Sequence, residues 1–214
     1  MLHQLIDILL HLDIYLNTWI ITFGSGIYGI LFLIVFCETG LIVTPFLPGD
    51  SLLFALGALT ATENAFLGLP LTAAVMIAAA LCGDITNYSI GKFLGMKLFS
   101  NPQSKIFRRE YLDRTHRFYE KNGGKTIILA RFMPIIRTFA PFVAGLGKMT
   151  YARYLLFCVV GAALWVISFL AAGHYFGALP VVKRNFHIVI VAIVIISFAP
   201  VALEWWKARK VKNS

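Results

Sequence analysis

Two acids and two bases stand in stretches of sequence that are otherwise apolar and rich in proline. Glu38 and Asp50 belong to the segment CETGLIVTPFLPGDS. Arg131 and Arg137 belong to the segment ARFMPIIRTFAPFVAG. Ionisable groups at membrane depth are costly, so they normally pair with one another or line a polar pathway. The pattern therefore predicts a single central site that handles charge.

The two arginines lie on either side of Pro134, six residues apart. Proline removes a backbone donor and disrupts the local helix, which frees neighbouring polar groups. Because each guanidinium offers a planar fork of donors, the pair is suited to clamp a phosphate or a carboxylate. The alternative is that the arginines only neutralise Glu38 and Asp50.

Glu38 and Asp50 are candidate proton-binding residues. Burial raises the pKa of a carboxyl group and a nearby arginine lowers it, so a carboxylate that gains and loses an arginine partner can bind and release protons. Pro48 and Gly49 directly precede Asp50 and could support the site as part of a turn. A second interpretation of Asp50 is that it only caps the helix that follows, over 51–59.

Four further residues are candidates for supporting roles: Asp84, Pro134, Pro141 and Gly145. Asp84 lies about one helical turn before Asn87, near the end of an apolar segment that we predict to reach the cytoplasmic side. An equally good interpretation of Asp84 is that it reaches the membrane interface or makes a local hydrogen bond.

The sequence lacks the motifs of a metal centre or an enzyme. Its five histidines show no ligand spacing, and Cys37, Cys82 and Cys158 stand far apart in apolar stretches. There is no P-loop, no G-x-S-x-G and no Ser-Gly-His element of a lipid phosphatase. We therefore predict no metal, no cofactor and no catalytic residue, and a protein that is not an enzyme.

Composition indicates an integral membrane protein. The chain of 214 residues is 59% hydrophobic and 14% charged, whereas a soluble domain is about a quarter charged. The net charge of +9 is concentrated in residues 92–125, which carry nine basic and three acidic residues, and in the tail 207–212. Loops rich in Lys and Arg stay cytoplasmic, so both segments are predicted inside. Such an apolar body argues against nucleic-acid binding.

Hydropathy and chain breaks divide a single membrane domain over 1–214 into segments. The run after Pro48-Gly49 is too short to cross a bilayer, which favours a re-entrant hairpin. The chain begins with an amphipathic helix over 2–17, at the interface or packed on the bundle, followed by a crossing-and-hairpin segment over 20–66 whose crossing lies near 20–43. A crossing over 67–91 leads to a cytoplasmic or interfacial segment over 92–124, which closes at Asn122-Gly123-Gly124. A second re-entrant hairpin over 125–147, two crossings over 150–206 and a basic tail over 207–214 complete the chain.

The predicted fold class is all-α, a polytopic membrane protein with two re-entrant hairpins of opposite orientation. With residues 92–125 in the cytoplasm, the first hairpin enters from outside and the second from inside. Inverted repeats with interrupted segments are typical of secondary transporters, in which the substrate site lies at the midplane between the repeats.

Three motifs together resemble the bacterial DedA family of inner-membrane proteins, whose domain is of the SNARE-associated or VTT type. They are ETGLIVTPFLPGDSLLF, GDITNYSIGKFLG and RFMPIIRTFAPFVAGLGKM, and the likeness extends over roughly 24–177. The resemblance implies that the acids of the first motif and the arginines of the third are the functional residues, which are Glu38, Asp50, Arg131 and Arg137 here. Asn87 departs from the family pattern, in which glycine is frequent.

The resemblance also implies a function. Members are viewed as transporters that depend on the proton-motive force, and several are implicated in recycling undecaprenyl phosphate, in envelope integrity and in resistance to antimicrobial peptides. We therefore expect a flippase for an anionic lipid phosphate in the bacterial inner membrane, with a cytoplasmic C-terminus. Its expected partners are the lipid, protons and membrane lipids, with homo-oligomerisation left open. The alternatives are a proton-coupled antiporter of small cations or drugs, a lipid-phosphate-processing enzyme and an envelope scaffold.

Overall fold

All regular structure in the described part of the chain is helical, which confirms the predicted all-α class. The computed structural model describes residues 12–41, 49–62, 65–98, 109–177, 179–193 and 195. In chain order the helices are α1 (Leu12–Phe23), α2 (Ile27–Gly40), α3 (Gly49–Thr60), α4 (Leu69–Leu98), α5 (Arg109–Ala130), α6 (Pro134–Leu146), α7 (Tyr151–Phe176) and α8 (Pro180–Arg184), with a 3₁₀ turn at Gly24–Gly26 and further helical backbone over 186–193.

Three segments of the described chain are long and apolar enough to cross a membrane. They are Tyr15–Gly40, Leu69–Leu94 and Tyr151–Phe176, each of 26 residues. At about 1.5 Å of rise per residue, such a helix exceeds the roughly 30 Å hydrocarbon core. The chain is therefore a multi-pass membrane protein.

The observed helices differ from the predicted segments at several ends. The first candidate span begins at Tyr15 rather than near residue 20, and the predicted helix over 2–17 falls mostly outside the described residues. Helix α5 runs through Gly123-Gly124, where the sequence predicts that the segment closes. The reason is packing: a Cβ at Gly123 would lie 3.1 Å from Met149, in the segment between α6 and α7, so the glycine serves a close contact rather than a turn.

Contacts group the chain into two compact units. The first unit contains Met1–Leu31, Pro48–Val75 and Val166–Ser214, and the second contains Phe32–Leu47 and Met76–Trp165. Helices α2, α4 and α7 each contribute to both units.

In the first unit, the short helix α3 packs closely on the C-terminal part of α7. A Cβ at Gly57 would lie 2.9 Å from the backbone nitrogen of His174, and one at Gly173 would lie 3.0 Å from the nitrogen of Ala58. Thr60 Oγ1 lies 2.9 Å from His174 Nδ1. Because lipid provides no hydrophobic force between helices, such close approach of small residues is a main source of their association.

In the second unit, the short helix α6 packs on α4 in the same manner. A Cβ at Gly145 would lie 2.9 Å from the backbone nitrogen of Lys92, and one at Gly91 would lie 3.0 Å from Phe142 Cα. Helix α2 also approaches α4, since a Cβ at Gly40 would lie 3.1 Å from Gly83 Cα. These contacts bring the polar residues of α2, α4 and α6 into one buried cluster.

Candidate functional site

The turn between α5 and α6 positions both arginines. Helix α5 ends at Ala130, and Met133 is extended with φ −118° and ψ 105°. Pro134 is the first residue of α6, where its fixed φ suits the helix and its missing N–H would have no intrahelical partner. Arg131 therefore lies in the turn and Arg137 lies in the first turn of α6. Pro134 begins a helix here, rather than breaking one from inside.

Arg137 forms a buried ion pair with Glu38. Its Nη2 donates to Glu38 Oε1, and the two side chains are 3% and 1% exposed. Helix α2 supplies the glutamate, from a position 99 residues away in sequence. The structure thus joins one predicted base to one predicted acid, and the neutralisation and clamp interpretations both stay predictions.

Arg131 pairs with Asp84, an acid that the sequence identified only as a supporting residue. Its Nη2 donates to Asp84 Oδ2, and the side chains are 3% and 1% exposed. Cys158 Sγ lies 2.8 Å from the same oxygen and 3.6 Å from Arg131 Nη2. Asp84 is buried, so the interpretation that its side chain reaches the interface is wrong. The signal in the sequence was a carboxylate inside a long apolar helix.

Trp165 contacts both arginines, and the sequence gave no sign of this role. The guanidinium carbons of Arg137 and Arg131 lie 4.7 Å and 5.9 Å from the centre of its ring. Its side chain is fully buried in α7. A guanidinium over an indole face gains about 0.5–2 kcal/mol, so Trp165 helps to hold two like charges in one cluster.

Asn87 ties together the backbones that carry Glu38 and Arg137. Its Nδ2 donates to the carbonyl oxygen of Thr39 at 3.2 Å and to that of Thr138 at 2.6 Å. These carbonyls belong to the residues directly after the acid and the base of the pair. The departure from the family pattern at Asn87 is thus a buried link between α2, α4 and α6.

Arg131 contacts Asp84 through one guanidinium nitrogen, Nη2, rather than through two donors of the guanidinium fork. Arg131 Nη1 and Asp84 Oδ1 are buried and make no hydrogen bond within the described part of the chain. The same holds for Asn87 Oδ1. Buried polar atoms without partners are uncommon, so these three atoms have hydrogen-bonding capacity that the described residues leave unused.

Asp50 belongs to the first unit of the contact grouping, whereas the residues of the two ion pairs belong to the second. It is buried in the first turn of α3, where a negative charge is favoured by the helix dipole. Gly49 begins this helix, and Pro48 lies outside the described residues. The proton-binding and capping interpretations of Asp50 both stay predictions. Among the other supporting candidates, Pro141 lies inside α6 and Gly145 makes the contact with α4.

Outside the candidate spans, Glu120 of α5 anchors the start of α7. Its Oε1 accepts from the backbone N–H and the hydroxyl of Thr150, each at 3.1 Å, and its Oε2 lies 3.3 Å from Arg153 Nη1. The backbone hydrogen bond from Thr150 is the main reason that the pKa of Glu120 is lowered. No group of three or more His, Cys, Asp or Glu residues suited to a metal occurs among the described residues.

Comparisons with known proteins agree with the motifs. The model of the VTT domain matches residues 47–175. The chain is 55% identical to Protein DedA of Escherichia coli K12 over 95% of its own length and 93% of that protein. It is 41% identical to an uncharacterized membrane protein of Mycobacterium tuberculosis H37Rv, with coverage of 88% and 84%. It is 34% identical to the inner membrane protein YqjA of E. coli K12, with coverage of 72% and 70%. No solved structure matches the chain.

Proposed function

Because this chain belongs to the DedA family of membrane proteins, which carry a VTT domain, we propose that it transports an anionic lipid phosphate across the bacterial inner membrane. Its proposed substrate is undecaprenyl phosphate, and protons are the proposed coupling ions. The observation that carries the proposal is the buried cluster of two arginines and two carboxylates around Trp165. A purely structural core has little use for four buried charges, since apolar residues of similar volume would often be at least as stable.

The arginines are suited to hold the phosphate head group. Arg131 keeps an unused buried donor, Nη1, beside the carboxylate that it contacts. Charge-assisted hydrogen bonds from a guanidinium fork to phosphate are short and directional. The lipid tail would stay in the hydrocarbon core of the membrane. The phosphate head group would replace the carboxylates as the partner of the arginines.

The burial of the acids supports the proposed coupling to protons. When Arg137 turns to a phosphate, Glu38 loses its partner inside an apolar cluster, where an unpaired charge costs several kcal/mol. Taking up a proton removes that cost. Asp50, in the first unit, is the second proposed proton-binding residue.

We further propose that the two proline-broken segments are re-entrant hairpins of an inverted repeat. Helices α3 and α6 have 12 and 13 residues, so each spans only about 18–20 Å of a roughly 30 Å hydrocarbon core. Within its own unit, each packs through a glycine, Gly57 or Gly145, on a glycine-bearing long helix. This shared construction supports a common origin of the two segments.

Reconstitution in liposomes tests the proposed function. The purified protein should move a labelled polyprenyl phosphate between leaflets, faster with a pH gradient than without one, and return the lipid chemically unchanged. Protein-free liposomes and an Arg131→Ala/Arg137→Ala variant are the controls. Equal movement in all samples would refute transport, and altered lipid would favour the enzyme alternative. Movement of a small cation in place of the lipid would favour the antiporter.

The proposed topology can be checked by cysteine labelling. We expect 92–125 and the C-terminus to be cytoplasmic and Lys183-Arg184 to be outside, because an excess of Lys and Arg marks cytoplasmic loops and nine basic residues lie in 92–125. Single cysteines at Ser104, Asn185 and Ser214, in a chain without its native cysteines, are treated with an impermeant maleimide in intact cells. Only the Asn185 position should be labelled, and labelling at Ser104 or Ser214 alone would reverse the assignment.

A further inference from the structure

The cluster contains two separate ion pairs, each with its own acid. Arg137 pairs with Glu38 from α2, and Arg131 pairs with Asp84 from α4. The ring of Trp165 lies against both guanidiniums. The role of Asp84 must therefore be considered separately from that of Glu38.

We infer that Asp84 is a proton-binding residue of the transport cycle, which takes up one proton when Arg131 turns from it to the lipid phosphate. This inference rests on the proposed function. It assigns to Asp84 a role separate from those of Glu38 and Asp50.

The surroundings of Asp84 carry the inference. Its Oδ2 accepts from Arg131 Nη2 and lies 2.8 Å from Cys158 Sγ, whereas its Oδ1 has no hydrogen bond within the described chain. Tyr154 is close, but its hydroxyl donates to the backbone oxygen of Asp84 at 2.9 Å rather than to the carboxylate. Once Arg131 leaves, a thiol is the remaining donor among these contacts, and a thiol is a weak one. A bare carboxylate cannot stay ionised there without a large cost, so it protonates.

Charge balance leads to the same result. Among the described residues, the two buried ion pairs of this cluster hold two positive and two negative charges, which cancel. A phosphate dianion bound to both guanidiniums leaves both carboxylates uncompensated. Neutrality in the buried site is restored by one proton on each acid. Phosphate binding should therefore be accompanied by uptake of two protons, of which Asp84 takes one.

Proton uptake on binding is measurable by titration calorimetry in buffers of different ionisation enthalpy. The full-length protein in detergent is titrated with a short-chain prenyl phosphate at about pH 8, where the phosphate is a dianion because its second pKa is near 6. The wild type should take up about two protons for each phosphate bound, and Asp84→Asn about one. Glu120→Gln is the matched control, because the lowered pKa of Glu120 keeps it ionised throughout.

A second variant keeps the test valid if Asp84→Asn does not fold. Glu38→Gln leaves Asp84 intact and should still take up about one proton. Uptake of two protons by Asp84→Asn, or of none by Glu38→Gln, would overturn the role of Asp84 while leaving lipid-phosphate binding in place. A wild type that binds no prenyl phosphate would overturn this inference together with the proposed function.

Discussion

Replacing either arginine by lysine is expected to remove most lipid transport, although the positive charge is kept. In Arg137→Lys, the single ammonium cannot contact Glu38 or phosphate through a planar fork, and it loses the stacking of the guanidinium on Trp165. Losing one charge-assisted hydrogen bond costs on the order of 1.5–3 kcal/mol, so we expect transport to fall by roughly 10-fold or more. The same reasoning applies to Arg131→Lys.

The measurement is initial lipid movement in liposomes that contain equal amounts of folded protein. Arg153→Lys is the matched control, because Arg153 is a half-exposed residue of the second unit outside the buried cluster. Its surface pair with Glu120 contributes little to stability. Full transport by both Arg131→Lys and Arg137→Lys would show that the arginines only balance charge.

The second large effect is expected from Glu38→Gln, which should fold normally but lose its response to a pH gradient. The glutamine oxygen can still accept from Arg137, so the buried contact keeps its shape while the group can no longer bind a proton. If Glu38 had a purely structural role, Glu38→Gln would keep its response to a pH gradient but would be less stable. Breaking that pair would destabilise the protein by roughly 3–5 kcal/mol.

One preparation can report both quantities for Glu38→Gln. Thermal unfolding in detergent measures stability, and gradient-driven lipid movement in liposomes measures coupling. Asp50→Asn is the companion variant, which we expect to have a smaller effect on coupling because Asp50 can also serve the first turn of α3. Normal gradient-driven movement in both variants would leave only facilitated flipping.

Composition and motif were sufficient to predict the membrane class and the burial of the key charges. A chain with few charges must face lipid, and a charge inside an apolar run must find a partner. Glu38, Asp50, Arg131 and Arg137 are all buried as this reasoning requires. These predictions depend on local sequence, which a single chain displays directly.

Which base pairs with which acid could not be predicted. Arg131 and Asp84 are 47 residues apart, and their contact depends on how α4 packs against the turn that follows α5. That packing is set by glycine contacts such as Gly91 with Phe142 and Gly145 with Tyr88. Because glycine also serves turns and flexible loops, the sequence could not distinguish these uses. The same ambiguity explains why Gly123-Gly124 suggested a segment end rather than a helix interior.

The position of Trp165 beside two guanidiniums has an optical consequence. The indole ring senses positive charge held against its face, so its fluorescence should change in colour and intensity when the guanidiniums rotate towards a phosphate. The other tryptophans, Trp19, Trp205 and Trp206, are separate in sequence and could be replaced by phenylalanine. Trp165 would then be the single intrinsic fluorophore of the indole type, and its emission would report on the charged cluster in real time without an attached dye.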